Sequence, residues 1–192
     1  MYQSFIKPCL DISVAIIAFL LLSPIFLSVL LILLVVNNGK PFFLQQRPGY
    51  KEKIFKIIKF KTMNDKKDSN GELLSPDKRL TKFGLFIRKR SLDEIPQFYN
   101  VLKGDMSIIG PRPERPEFVS NLEEQIPFYA IRHAIRPGLT GWAQVNYPYA
   151  NTIEEQETKL RYDLYYIKER NSFLDFKILI KTITTILFFR GQ

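Results

Sequence analysis

Between Arg88 and Arg112 the chain gathers the residue types that chemistry on phosphates needs. Arg88-Lys89-Arg90 runs into Ser91-Leu92-Asp93-Glu94-Ile95-Pro96-Gln97. After a short apolar stretch comes Gly104-Asp105-Met106-Ser107-Ile108-Ile109-Gly110-Pro111-Arg112-Pro113. Asp93 and Glu94 therefore stand between a basic cluster and a Gly-Pro-Arg-Pro turn. Such carboxylates can hold Mg²⁺ or attack phosphorus, and Arg88 and Arg112 can neutralise phosphate oxygens. A purely structural reading competes on even terms. Ser91-x-x-Glu94 fits a capping box, in which both acids only close a helix start and complement its dipole. Pro96 weighs against the box, because it would fall inside the helix so begun. A helix starting at Pro96 leaves Asp93 and Glu94 just ahead of it, free to face a cleft.

Composition narrows the chemistry. The 192 residues suit one domain, or one domain with an appendage. Lys and Arg total 28 against 19 Asp and Glu, a net charge of +9, so anionic partners are expected: nucleic acid, anionic lipid or a phosphorylated substrate. Cys9 is the only cysteine and His133 the only histidine. No intramolecular disulfide can form, a reducing compartment is implied, and a Cys/His zinc site is excluded. No nucleophile-elbow signature accompanies His133, which reads as a surface or structural residue. Catalysis by carboxylates with a hard, oxygen-loving ion is what remains.

The elements that must position the acids begin with an apolar run. Ile12 to Val36 carries no charge over 25 residues. As a helix it would reach about 37 Å, enough for a hydrocarbon core of about 30 Å. It is apolar on every face, which disfavours a buried core helix in so small a domain. It is too long for a cleaved signal peptide and lacks a small-x-small site. Ser23-Pro24 lies at its midpoint. Pro24 cannot donate to the Leu20 carbonyl, and Ser23 can turn back to a carbonyl so released. Two readings stand: a kinked span, which hydropathy alone favours, and a helix broken at Ser23-Pro24 that re-enters the same face. Lys40, Arg47, Lys51 and Lys53 after the run place its C-terminal side in the cytoplasm, and Lys7 points weakly to the same side.

Phe42 to Gln46 reads as a strand, Arg47-Pro48-Gly49-Tyr50 as a turn, and Ile54 to Met63 completes a β-hairpin. Asp65 to Lys78 reads as an exposed loop, and Arg79 to Arg90 as a short helix through Leu80, Phe83 and Ile87. Pro96 to Lys103 forms a helix stopped by Gly104. Glu117 to Ile126 is amphipathic, with Phe118, Leu122 and Ile126 on one face. Phe128 to Ile135 is helical, and Arg136 to Gly141 is a loop by its Gly and Pro content. Thr152-x-x-Glu155 opens a helix to about Arg170. Ser172 caps a last helix, Phe173 to Phe189, interrupted by Lys177 and Lys181 and followed by Arg190; it reads as interfacial rather than spanning. The fold class is α+β and mostly helical: residues 1–38 form a membrane-embedded helix and 39–192 a cytosolic catalytic domain at the membrane surface.

The chain resembles the bacterial sugar transferase family, the monotopic phosphoglycosyl transferases. The likeness rests on Ser91 to Gln97, Lys103-Gly104-Asp105-Met106-Ser107 and Gly110-Pro111-Arg112-Pro113. It also rests on Lys59-Phe60-Lys61-Thr62-Met63, on Arg136-Pro137-Gly138-Leu139-Thr140-Gly141-Trp142-Ala143-Gln144-Val145-Asn146, and on Tyr162-Asp163-Leu164-Tyr165-Tyr166. The resemblance implies transfer of a sugar-1-phosphate from a UDP-sugar to polyprenyl (undecaprenyl) phosphate, with release of UMP. It implies that Asp93 forms a phosphosugar-aspartyl intermediate and that Glu94 assists as Mg²⁺ ligand or base. Lys59, Arg88, Arg112 and Arg136 become the phosphate-binding residues, and Mg²⁺, held by Asp93 and Glu94, the cofactor. It further implies a re-entrant helix broken at Ser23-Pro24, membrane lipids as partners, no nucleic acid, and the cytoplasmic face of a bacterial inner membrane, where cell-surface glycan assembly starts. Longer members carry spanning helices and an extra domain before this region, so a short form or an isolated catalytic module is expected. Short members often place an arginine after Gln-Val-Asn, where this chain has Tyr147-Pro148-Tyr149-Ala150, leaving one phosphate contact without an owner.

Two rival classes share the composition. A membrane-tethered basic module binding lipid or nucleic acid would not need Asp93 and Glu94, and the aromatics do not interleave with lysines as in a base-stacking platform. A Mg²⁺-dependent phosphohydrolase would use the same acids with water as acceptor.

Overall fold

The computed structural model describes residues 1–147 and 150–187, with side chains to residue 185 in the last helix. A π-helical turn, Tyr2–Ile6, leads into α1, Lys7–Val36. Strands β1, Phe42–Pro48, and β2, Ile54–Phe60, pair antiparallel from Phe42↔Phe60 to Pro48↔Ile54. The short α2, Pro76–Arg79, precedes α3, Lys82–Lys89, and α4, Gln97–Lys103. Next come β3, Ser107–Ile109; α5, Pro116–Gln125; a 3₁₀ stretch, Tyr129–Ala134; and β4, Gly138–Thr140. Helices α6, Trp142–Asn146, α7, Ile153–Glu169, and α8, Ser172–Leu187, complete the described chain. The α+β, mostly helical class is as expected. The sequence-expected helix end at Phe189, the following Arg190, and Pro148-Tyr149 lie outside the described residues.

The region read as a loop from Arg136 to Gly141 contains β4, which pairs parallel with β3 through Ser107↔Gly138 and Ile109↔Thr140. Backbone packing explains why a Gly/Pro-rich segment serves as a strand here. A Cβ on Gly110 would lie 2.5 Å from the Arg136 carbonyl oxygen, and one on Gly138 would lie 2.1 Å from the Gly110 nitrogen. Two motifs far apart in sequence thus touch backbone to backbone, at a spacing only glycine permits.

Helix α1 runs through Pro24 without ending there. The expected break at Ser23-Pro24 is not an interruption of the helix, because the Ser23 hydroxyl donates to the Leu20 carbonyl at 2.7 Å, replacing the N–H that Pro24 lacks. Both halves of α1 dock on one body. Ala15 joins a core with Val101, Met106, Ile108 and Ile178, while Val29 and Leu33 pack with Phe60 and Ile87. Between them, residues 16–28 include none that is buried.

Two further details depart from the sequence pattern. In α5, Val119 and Leu122 face inward with Ile126, and Phe118 is exposed beneath the Arg115 guanidinium. Phe118 and Val119, four and three residues before Leu122, both flank its face, and packing against Tyr129 and Leu160 covers Val119. The cap of α8 is Asn171, whose Oδ1 accepts from the Leu174 N–H at 2.9 Å, rather than Ser172. The Thr152–Glu155 capping box at α7 forms as expected. On α8, Phe173, Phe176, Ile180 and Ile183 form an exposed apolar stripe, while Leu174 and Ile178 are buried.

Candidate active site

A left-handed residue, Ser91 at φ 53°, turns the chain out of α3. Leu92–Glu94 then make one 3₁₀ turn that continues through Ile95 and Pro96 into α4. The capping box does not form: Ser91 makes no side-chain cap, and Glu94 reaches elsewhere. Leu92 and Ile95 pack inward on either side of the acids and hold the turn in place. Gly104, at φ 85°, ends α4 as expected.

The two acids sit in opposite environments. Glu94 accepts from Lys59 Nζ at 2.6 Å and from Arg112 Nη2 at 2.5 Å, both on Oε1. Its Oε2 takes only a long 3.5 Å contact from Arg112 Nη1. Burial alone would raise the Glu94 carboxyl, but Arg112 and Lys59 override it and hold the group down at about 2. Asp93 is 8% exposed, and no side chain among the described residues donates to its carboxylate. Burial first, and the negative Glu94 second, push Asp93 up to about 6 against the pull of Lys59 and Arg88.

Of the expected phosphate-binding residues, Lys59 and Arg112 meet at Glu94, and Arg88 lies within electrostatic reach of Asp93. Arg136 is exposed ahead of β4, and no ion pair or hydrogen bond joins it to the acid pair. Where short family members carry an arginine, Tyr147 stacks on Tyr162, and the Lys181 Nζ bonds Asn146 Oδ1 at 2.5 Å. His133 is buried and structural, and its ring is pushed below the ordinary imidazole range chiefly by burial.

Several positioning residues carried no sequence signal. Asn100, wholly buried in α4, accepts from the Ile58 N–H at 3.1 Å and donates to the Lys56 carbonyl at 2.8 Å. It thereby locks β2 to α4 in the register that brings Lys59 to Glu94. Arg132, in the 3₁₀ stretch, donates to the Arg112 carbonyl at 2.8 Å and to Asp163 Oδ2 at 3.0 Å. A buried Asn amid apolar neighbours is the only hint the sequence holds, since both links depend on contacts far along the chain.

Among the described residues no three His, Cys, Asp or Glu side chains converge on a point. A Mg²⁺ ion commonly takes one or two protein carboxylates and completes its shell with water and substrate phosphate. Asp93, without a side-chain donor, and the lightly engaged Oε2 of Glu94 fit that requirement. A separate cavity of about 230 Å³ lies between α1 and α8, walled by Leu10, Val14, Ile108, Phe176 and Leu179, and the acid pair contributes nothing to it.

Helix α1 with its preceding turn, Tyr2–Val36, has a mean hydropathy of 3.0 in its most apolar window and is long and apolar enough to cross a membrane. Comparison with known proteins agrees with the layout of motifs. The chain is 45% identical over 186 residues to a UDP-N-acetylgalactosamine-undecaprenyl-phosphate N-acetylgalactosaminephosphotransferase of Aeromonas hydrophila, covering 96% of this chain and 44% of that protein. It is 39% identical over 184 residues to a UDP-glucose:undecaprenyl-phosphate glucose-1-phosphate transferase of Escherichia coli (strain K12), covering 93% of this chain and 39% of that protein. It is 40% identical over 186 residues to the uncharacterized sugar transferase EpsL of Bacillus subtilis (strain 168), covering 97% of this chain and 89% of that protein. The chain thus spans less than half the length of the first two relatives and most of the third. With the bacterial sugar transferase profile matching residues 2–189, the chain belongs to the bacterial sugar transferase family.

Proposed function

We propose that this protein is a phosphoglycosyl transferase that moves a sugar-1-phosphate from a UDP-sugar to polyprenyl phosphate and releases UMP, at the start of cell-surface glycan assembly. The observation that carries the reading is the division of labour in the acid pair. Lys59 and Arg112 both neutralise Glu94, while Asp93 has no side-chain donor among the described residues. A carboxylate meant only for structure is normally paired, whereas a nucleophile keeps its lone pairs open.

The chemistry balances in two displacements. An ionised Asp93 oxygen bonds to the phosphorus bearing the sugar, and the bond from that phosphorus to the bridging oxygen breaks, so UMP leaves. An oxygen of polyprenyl phosphate then bonds to the same phosphorus, and the acyl-phosphate bond breaks, which returns Asp93 as a carboxylate. Neither step needs a base, because both attacking groups are ionised at neutral pH. Lys59, Arg112 and Arg88 offset the charge that accumulates as two anions meet. Mg²⁺, held by Asp93 and Glu94, would neutralise diphosphate oxygens there. Arg136 is the candidate for a phosphate farther from the acids.

A re-entrant α1 is supported by the docking of both its halves on one body, since a perpendicular span would carry one half away from it. Residues 16–28, with no buried member, are then the part sunk in the bilayer, and the exposed stripe on α8 lies in the interface. Residues 1–38 become the membrane-embedded part, and 39–192 the catalytic part on the cytoplasmic face of the inner membrane, where UDP-sugars are made.

The test is UMP release from a panel of UDP-sugars by membranes carrying wild type or Asp93→Asn, with and without polyprenyl phosphate. Acceptor-dependent release by wild type alone, with sugar label trapped on the polypeptide when acceptor is withheld, is the expected result. Release without lipid beyond one UMP per polypeptide would indicate water as acceptor, and equal release by the two proteins would remove Asp93 from the chemistry.

A further inference from the structure

Helix α7 has not yet been assigned a part in the chemistry, although it carries the Tyr162-Asp163-Leu164-Tyr165-Tyr166 motif. Three polar side chains on it, Lys159, Asp163 and Tyr166, are spaced four and three residues apart and so share one face. They face the short piece of chain that bears Arg112: Lys159 pairs with it directly, Asp163 reaches it through Arg132, and Tyr166 lies against it. Tyr166 Oη lies 3.3 Å from the Ile109 carbonyl, but its single hydrogen goes to Asp175 Oδ1 at 2.7 Å. Asp163 Oδ2 accepts from Arg132 Nη2 at 3.0 Å, and that nitrogen also donates to the Arg112 carbonyl at 2.8 Å. Lys159 Nζ pairs with Glu114 Oε1 at 3.0 Å. From the other side, Arg47 Nη1 donates to the Pro113 carbonyl at 3.1 Å.

We infer that α7 is a splint for the Ile109–Glu114 segment, and that Asp163 is a positioning residue acting through Arg132 on the backbone of Arg112. The proposal rests on the phosphoglycosyl transferase reading for its consequence, but not for its geometry. Arg132 and Asp163 are 4% and 2% exposed. Taking both charges out of water is costly, and an apolar pair of similar volume commonly does as well for stability. What an apolar pair cannot do is donate to the Arg112 carbonyl. Pro111 and Pro113 flank Arg112 and restrict the segment, yet neither offers an N–H with which to tie it down. β4 ties the start of the segment through the Gly110 N–H to the Thr140 carbonyl and the Gly138 N–H to the Pro111 carbonyl, both at 2.9 Å, and α7 supplies or orients the two ties beyond it, at Arg112 and Glu114. Arg112 is then held where its guanidinium meets Glu94 Oε1, clear of the Asp93 carboxylate.

The experiment pairs a double substitution with a cycle. Arg132→Met with Asp163→Leu removes both buried charges together, so thermal stability should return close to wild type. Acceptor-dependent kcat/KM for the UDP-sugar should nonetheless fall about 10- to 100-fold, the size usual when a group that orients a ligand residue is lost. Amide exchange of the 107–114 peptides should rise in that variant while the rest of the protein keeps its protection. In the cycle, Asp163→Asn should cost little further activity in an Arg112→Lys background, because residues acting through one contact are non-additive. Lys159→Met is the milder arm if Asp163→Asn does not fold, with the same non-additivity expected. Restored activity with unchanged exchange at 107–114 in the double variant, or multiplicative effects in the cycle, would overturn the splint. The exchange result stands whether or not any UDP-sugar is turned over. An inactive wild type would therefore count against the transferase reading alone.

Discussion

Asp163 under α7 and Asp93 at the entrance to α4 are both buried, and the molecule treats them oppositely. Asp163 has an arginine to itself, and that arginine is satisfied again by Tyr129 and the Arg112 carbonyl. Burial lifts the Asp163 carboxyl above its ordinary range, against the pull of Arg132. Asp93 has cations nearby, but their hydrogen bonds go to its neighbour Glu94. The first arrangement stabilises one geometry, and breaking it leaves an uncompensated charge out of water. The second stores a cost in the folded state that bonding to an electrophile can relieve. On the proposed reading, the paired Asp163 serves structure, and Asp93, with no side-chain donor among the described residues, serves chemistry.

The comparison breaks most visibly at Asp93 itself. Asp93→Asn should lower UMP release on the order of 10⁴-fold or more, as expected for a lost nucleophile. It should also make the protein more stable at pH 7. The gap between about 6 and the ordinary value of 3.8 corresponds to roughly 3 kcal/mol at most. Melting temperatures of the two proteins read this directly, and a less stable Asp93→Asn would mean that the acid is paired in solution.

Arg132→Met alone should do the reverse. It leaves Asp163 buried without a partner, so a loss of about 3–5 kcal/mol is expected in denaturant titration. An unchanged midpoint would show that the pair is not desolvated.

The pH dependence separates Asp93 from Glu94. A transferase that needs ionised Asp93 should lose activity as pH falls through about 6, close to tenfold per unit once well below it. In stability the signs are opposed. The Asp93 carboxyl is raised, so its protonated form favours the fold, and its burial costs stability as pH climbs from 3.8 through about 6. The Glu94 carboxyl is depressed, so its stabilisation is present above 4.5 and is lost as pH falls towards about 2. A rate profile flat from pH 7 to pH 5 would contradict the assignment of Asp93.

Lys59→Met should have the smallest effect of these, roughly a tenfold loss in kcat/KM, because Arg112 remains on Glu94. Its acid limb should move to higher pH, since Asp93 would lose one of the cations that draw it down. A loss as large as that of Asp93→Asn would give the lysine a direct part in bonding.

Much of this was legible along the chain. The β-hairpin, the stop at Gly104, the capping box at Thr152 and the apolar run each depend on residues within a few positions, and local rules reach that far. The Ser91–Glu94 box fits the local rule equally well and does not form. Lys59 and Arg112, 35 and 18 residues from Glu94, compete for it more strongly than a backbone N–H does. β4 is not legible along the chain because a strand of Gly-Leu-Thr is defined by its partner and not by its composition. Phe118 yields to Val119 because residues three and four before Leu122 both lie on its face of the helix, and only the packing against Tyr129 and Leu160 decides which is covered.

The order and types of residues by themselves determined the candidate acids, the basic surroundings and an apolar segment long enough to cross a membrane. These follow from side-chain chemistry and from periodicities of a few residues. Only the tertiary structure decided which carboxylate is neutralised and which is left open, and that α7 reaches across to the segment holding Arg112. The reason is that hydrogen bonds and desolvation act over ångströms in space. Which of 28 cations comes within those ångströms of an acid is settled when distant elements pack.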